Sequence, residues 1–262
     1  MRVKSIFGAL LIAAMSIACG KDGGTTSPKD ESNDTLLYVK SINAYDDIPT
    51  NGDIDSQVIF ELDSQKRINT MRSIAGNETI YDVDIKYSGS TATVTFVLDG
   101  ESGTVNCELN DKGAITSATY DIDEMAGFVE TFTYNDANEI QLYKAMFMGM
   151  ELMSLEYEWR DGNIYKVTYR EDDYTEVFTH TYTAEANIYN IDPFHGFTWI
   201  TPNICELLAV NDGLFGKRNH NFVKSVTMNG ESMYEIIYSF KANGEVEYAN
   251  MDGDGYMTFD CF

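Results

Sequence analysis

Apolar and polar residues alternate with a period of two along most of the chain beyond residue 35. Leu155, Tyr157 and Trp159 occupy alternate positions, and Glu156 and Glu158 stand between them. Because successive side chains of a strand point to opposite faces of a sheet, this pattern predicts strands with one apolar and one polar face. The same alternation recurs at 165–170, 178–182 and 234–240.

Short polar runs with Gly, Asn or Asp separate these segments at intervals of about ten to fourteen residues. Such regular spacing is typical of antiparallel strands joined by tight turns. We therefore predict an all-β fold, an antiparallel β-meander of many short strands that is strongly twisted or curled into a partial barrel. The turn runs lie at 64–66, 88–89, 99–100, 111–113, 135–136, 161–163 and 171–173.

One segment, 190–221, lacks useful alternation. Thr201 fits a helix N-cap and Pro202 a first helical turn, and apolar residues follow at helical spacing before Gly213. This pattern predicts one short helix near 202–210, which would cap the sheet.

The N-terminus has the pattern of an export signal. Arg2 and Lys4 precede an apolar run over 6–18 that is too short to span a bilayer. The run ends directly before Cys19 and resembles the lipobox of bacterial lipoproteins, although Ser16 stands where an aliphatic residue is usual. The resemblance implies a signal peptide over 1–18 and lipidation of Cys19. Cleavage by the ordinary signal peptidase is the alternative.

Residues 20–34 contain no aliphatic or aromatic side chain. Such a stretch cannot bury enough apolar surface to fold. We therefore predict a lipidated cysteine and flexible tether over 19–34, followed by a single β-rich domain over 35–262.

The charge balance excludes one class of partner. The chain has 42 acidic and 18 basic residues, a formal net charge of −24 and a pI of about 4.2. A nucleic-acid backbone would be repelled by this surface, and anionic lipid would not attract it. No nucleic-acid partner is expected, and contact with the membrane would depend on the lipid anchor.

Repeated hairpin motifs, together with the lipoprotein signal, resemble a known family. Their pattern is similar to the tyrosine-aspartate hairpins of secreted repeat proteins and, more closely, to uncharacterised Bacteroidetes lipoproteins described as a domain of unknown function with a porin-like fold. The resemblance covers about 58–262 and implies no catalytic residue. The segments that carry it are 109–113, 134–136, 159–163, 189–192, 213–218 and 240–244.

A calcium loop is one interpretation of the last turn. Asn250, Asp252 and Asp254 place oxygen ligands at alternate positions, as in the opening of such a loop. The twelfth position is Cys261 where a bidentate Glu is required. A tight hairpin turn, which needs the same residue types, is favoured and the calcium interpretation stays open.

The remaining chemistry-bearing residues form no recognisable motif. Cys107, Cys205 and Cys261 have no metal-ligand spacing, and one disulfide among them stays open. No nucleophile elbow, phosphate loop or zinc-protease motif occurs. We expect no catalytic, cofactor or metal-binding residue. The three histidines, His180, His195 and His220, are far apart, and Met146, Met148, Met150 and Met153 are interpreted as core filling or sheet-edge contacts.

Two tryptophans are candidates for ligand contact, since aromatic faces can stack on sugar rings. Trp159 lies in an apolar row and is predicted to be core. Trp199 lies in the irregular segment beside Phe194 and Phe197, and it is the candidate ligand-binding residue.

These patterns predict a non-catalytic binding or accessory module, an outer-membrane lipoprotein at the cell surface or on the periplasmic face. Its partners would be the membrane, through the lipid anchor, and a glycan or protein ligand. The alternatives are a transport-related outer-membrane β-barrel, which would need an outward apolar band about 25 Å tall, and a hydrolase with an unrecognised site.

Overall fold

A computed structural model describes residues 36–46, 49, 54–76, 78–98, 101–121, 126–192, 213–251 and 255–262. The signal peptide, Cys19, the tether, Trp199 and the helix predicted near 202–210 lie outside these residues. Within them no helix is long and apolar enough to span a membrane.

In the described part of the chain, sixteen antiparallel strands follow one another around a closed barrel, each pairing with the next. The predicted meander is confirmed, but the predicted partial barrel is wrong because the last strand pairs with the first. The strands are β1 (Val39–Tyr45), β2 (Ser56–Leu62), β3 (Ile68–Ala75), β4 (Glu78–Ser88), β5 (Thr91–Leu98), β6 (Glu101–Leu109), β7 (Ile115–Asp121), β8 (Phe128–Tyr134), β9 (Ile140–Phe147), β10 (Met150–Arg160), β11 (Asn163–Glu171), β12 (Tyr174–Ala186), β13 (Asn221–Met228), β14 (Glu231–Phe240), β15 (Val246–Met251) and β16 (Tyr256–Cys261).

The barrel has two unlike ends. The described chain begins and finishes at one of them, where the backbone N–H of Phe262 donates to the Tyr38 carbonyl. We call this the terminal end. The odd-to-even connections, from β1–β2 to β15–β16, lie at the opposite end, which we call the distal rim.

The interior of the barrel is packed with apolar side chains. Val83, Val105, Leu155 and Ile236 come from strands around the circumference, and none of them is more than 2% exposed. A round barrel of sixteen strands would enclose a water-filled channel, and such a channel would expose these residues. Opposite walls therefore lie close enough for their inner faces to form one apolar cluster. Each fully buried aliphatic residue contributes about 1.5–3 kcal/mol.

Residues 187–192 and 213–220 fill the terminal end of the barrel. The Tyr189 ring stacks on Phe259 at 5.1 Å between centroids, and Phe215 packs edge-on against Phe132 at 5.3 Å. The Tyr189 hydroxyl also accepts a hydrogen bond from the Val246 N–H at 2.9 Å. This plug closes the end from which the chain enters β1.

Asn219 connects the plug to the barrel wall. Its side-chain oxygen accepts from the Ile164 N–H at 2.7 Å and from the Tyr182 hydroxyl at 3.0 Å. Its amide donates to the Asp192 carboxylate at 2.7 Å. Burial raises the pKa of Tyr182, and the nearby charge of Asp192 raises it further. The plug is thus fixed by a fully bonded polar contact as well as by apolar packing.

Aromatic side chains near the terminal end repeatedly donate to a backbone carbonyl of the preceding strand. Tyr suits this position, because its ring can pack on the core while its hydroxyl reaches the backbone. Trp159 takes part through its indole N–H and packs against the core, as predicted. The pairs are Tyr87 and Ile68 (3.0 Å), Tyr134 and Ile115 (2.8 Å), Trp159 and Ile140 (2.7 Å), Tyr182 and Ile164 (2.6 Å), and Tyr238 and Val223 (2.9 Å).

Polar side chains mark the seam between β1 and β16. Asn43 is 2% exposed and donates to Asp260 at 3.0 Å and to Thr258 at 3.3 Å. Ser41 donates to Asp260 at 3.1 Å. These hydrogen bonds hold the closing pair of strands in one register.

Candidate binding surface

The outer wall of the barrel is polar. Salt bridges cross between neighbouring strands from Lys166 to Glu158 at 2.7 Å and from Arg170 to Glu156 at 3.2 Å. A lipid-facing barrel places apolar residues outward and polar residues inward. The described strands place apolar residues inward and polar residues outward. The surface that a ligand can contact is therefore the outer one.

Four large apolar side chains are exposed on adjacent turns of the distal rim. Met148 is 72% exposed, Met150 64%, Tyr174 54% and Leu152 42%. Their turns, β9–β10 and β11–β12, are neighbours because β10 pairs with β11. We call these four residues the apolar tip. Clustered exposed apolar residues are typical of interaction sites.

The backbone of Met148 gives a further observation. Its φ is 49° and that of Gly149 is 81°. Asn, Asp and Gly are the usual residues of such a turn, and a long side chain in the left-handed region costs about 1–2 kcal/mol. Met148 therefore carries a local conformational cost in this turn.

Carboxylates lie along the distal rim, and Glu151, Asp172 and Asp173 are sequence neighbours of the apolar tip. The turn segments of the distal rim contain no Lys or Arg among their described residues, whereas turns at the terminal end carry Lys66, Lys112 and Lys241. By sequence, the same distal segments contribute further acids and no base. The described acids of the distal turn segments are Asp46, Asp55, Asp172 and Asp173, and the adjoining strand ends add Glu78, Asp121, Glu151, Glu171 and Glu231 together with one base, Arg170.

A shallow groove of about 450 Å³ lies on the outer wall of β4–β7, close to the distal rim. Asp82, Asp84 and Asp121 line it together with Phe96 and Val97. The strand register brings two of the three carboxylates into one row across four strands. In the described part of the chain, no group of His, Cys, Asp and Glu is arranged to hold a metal ion.

Among the described residues, a cluster of ionisable groups that resembles an active site lies inside the barrel. Glu130 is fully buried, and it accepts hydrogen bonds from Tyr120 and Tyr143, both at 2.6 Å. Burial and the neighbouring charge of Glu130 raise the pKa of Cys107 to about 12. The hydrogen bonds from the two tyrosines tie β7 and β9 to the Glu130 carboxylate of β8 within the core.

Cys107 should accordingly be unreactive in the folded protein. In the mature chain carrying Cys19→Ser and Cys205→Ser, we expect Cys107 and the half-buried Cys261 to react slowly with a disulfide reagent at neutral pH, because burial raises both thiol pKa values. Both should react at once in denaturant, as thiol titration would show. Rapid modification of two thiols in the folded protein would contradict the packed interior.

The structure describes some of the sites predicted from sequence, and others lie outside the described residues. Cys107 and Cys261 are both free thiols, so these two are not paired with each other, and Cys205 lies outside the described residues. Asn250 donates to the Gly255 carbonyl at 3.0 Å, which ties the two sides of the last turn. Asp252 and Asp254 lie outside the described residues, so calcium binding stays a prediction.

Sequence reasoning missed the apolar tip. Met153 packs against the core, in line with core filling, and Met146 is half-buried, but Met148 and Met150 extend into solvent. The available signal was the Met148-Gly149 pair itself, because a hairpin turn at that point calls for Asn or Gly.

The molecule is thus an up-and-down antiparallel β-barrel with a packed interior. The chain belongs to the family described as a domain of unknown function (DUF4595) with porin-like fold, whose model matches residues 60–258. A crystal structure of a porin-like protein from Bacteroides uniformis is similar with a TM-score of 0.65 at 17% identity, covering 87% of this chain and 100% of that chain. This likeness shows the fold alone. A comparison with curated proteins finds no match.

Proposed function

We propose that this protein is a non-catalytic binding module of the cell envelope, anchored to the outer membrane through a lipid on Cys19, and that its distal rim is the binding surface. The observation that carries the proposal is the combination of a packed apolar interior with a charged outer wall. This combination supports neither a passage for solutes nor a surface for lipid.

The place where the chain enters the barrel supports the proposal that the distal rim is the binding surface. Leu37 is held at the plug, where its backbone N–H donates to the Ile188 carbonyl at 2.9 Å. The tether would therefore join the terminal end. Extended fully, it would reach at most about 60 Å. The distal rim is then the part of the domain that can lie furthest from the membrane.

The behaviour of the protein without its lipid tests this proposal. We expect the mature chain carrying Cys19→Ser to purify without detergent as a folded species, because its outer wall is solvated. The wild-type protein should incorporate a palmitate analogue and fractionate with membranes. Reconstituted in lipid vesicles, it should produce no conductance steps.

Two outcomes would decide against the proposal. Stable conductance would favour the transport-related barrel. Aggregation of the Cys19→Ser chain unless detergent is present would show that lipid covers the outer wall. Vesicles without protein are the control for background conductance.

A further inference from the structure

We propose that the distal rim docks a cationic polypeptide, a partner surface that presents Lys or Arg side chains around an apolar contact. This inference rests on the proposed function and adds the chemical class of the partner. Three features of the rim carry it: the apolar tip, the carboxylates and the groove beside them.

The apolar tip supplies the contact area. Met148, Met150, Leu152 and Tyr174 are exposed on two neighbouring turns. Methionine side chains adapt to partners of varied shape, and Met148 is the most exposed of the four. Tyr174 adds a ring that contacts Tyr169 edge-on at 6.3 Å between centroids.

The carboxylates determine which sign of charge a partner surface can carry. Glu151 pairs with Lys144 at 2.6 Å. Asp172 and Asp173 extend into solvent beside Tyr174. A second copy of the chain or an anionic lipid surface would bring like charge against them. A cationic surface would be attracted and oriented before contact.

The groove provides a place for an individual cationic side chain. Val97, which lies opposite Asp82 on the outer face, offers an apolar contact to an alkyl stem, and Asp84 and Asp121 offer carboxylate oxygens to its charged head. Lys and Arg are amphipathic in this way. Arg72 of the protein already contacts Asp82 at 3.0 Å, which shows that a guanidinium fits beside this groove.

The test uses a short fluorescent peptide in which Lys alternates with Leu and Ser, together with a version that has Glu in place of Lys. Binding to the mature chain carrying Cys19→Ser is measured by fluorescence anisotropy at low and at physiological salt. We expect the Lys peptide to bind and the Glu peptide not to bind. Affinity should fall as salt rises, because exposed charges are screened.

Matched variants locate the contact. Asp172→Asn with Asp173→Asn removes two charges at the distal rim, and Asp161→Asn with Asp136→Asn removes two at the terminal end. Asp172 and Asp161 have φ values of 48° and 52°, so Asn suits both turns. We expect the distal pair to weaken binding roughly threefold to tenfold and the terminal pair to change it little.

Met148→Asn with Met150→Ser tests the apolar contribution, because Asn suits the turn and should not unfold it. We expect this variant to weaken binding at both salt concentrations. Equal losses for the distal and terminal pairs, or no loss for the methionine variant, would overturn docking at the rim. The detergent and conductance results are independent of the peptide, so a failure of docking would not be confused with a failure of the proposed binding module.

Discussion

Replacing Gly216 with alanine is expected to lower the free energy of unfolding by about 2–5 kcal/mol. Gly216 has a φ of +79°, and an added Cβ would lie 2.3 Å from the Asn138 carbonyl oxygen and 2.8 Å from the Tyr134 ring. Neither neighbour can move freely. The Asn138 carbonyl accepts from Lys217 at 2.7 Å, and the Tyr134 hydroxyl is bonded to the Ile115 carbonyl. Urea denaturation of the mature chain would measure the loss.

Gly230→Ala is the matched control for this prediction. Gly230 has a φ of +88°, but nothing lies within 4 Å of its added Cβ. It should show only the conformational cost of about 1–2 kcal/mol. If the two variants lose the same stability, the close contact between plug and wall does not exist in solution.

Replacing Glu130 with methionine is expected to destabilise the protein by about 2–5 kcal/mol, because two buried donors lose a charged acceptor. The carboxylate is fully buried and receives the hydroxyls of Tyr120 and Tyr143. Methionine keeps the volume of the side chain but accepts hydrogen bonds poorly. Chemical denaturation, with near-UV circular dichroism to report on the packing of the two rings, would measure the effect.

The triple variant Glu130→Met, Tyr120→Phe and Tyr143→Phe separates lost hydrogen bonding from lost packing. It removes both hydroxyl donors together with the carboxylate that accepts from them. Apolar replacement of a buried polar cluster is often close to neutral. We expect the triple variant to recover most of the stability that Glu130→Met loses. A triple variant as unstable as the single one would show that the cluster acts through its shape.

Alternation along single strands predicts the faces of the sheet well, because it depends on local geometry. Leu155 and Tyr157 lie in the core, as expected. The expectation fails at Tyr165, whose ring lies beneath the Arg160 guanidinium at 3.8 Å. The register shifts between Glu158 and Trp159, so Tyr165 is the extra residue of a β-bulge. Alternation alone cannot locate such an insertion.

Neither the closure of the barrel nor the composition of the distal rim could be predicted from the sequence, because both depend on residues that are distant along the chain. The seam pairs Val39 with Cys261, and the local sequence of neither strand indicates that the two strands pair. Met148 and Tyr174 lie on neighbouring turns only because β10 pairs with β11. The excess of acidic residues at the distal rim is visible only when every second turn is assigned to that end of the barrel. The predicted Trp199 contact lies outside the described residues and stays a prediction.

The position of the seam has a kinetic consequence. Every other strand pair joins consecutive strands, so most of the sheet can form hairpin by hairpin while the chain lengthens. The seam alone must bring together residues at opposite ends of the sequence, at an entropic cost of about 5 kcal/mol. Until β16 is available, the sheet has two open edges that can pair with other chains. The strand of the barrel that is synthesised last, β16, is thus the one that removes both edges.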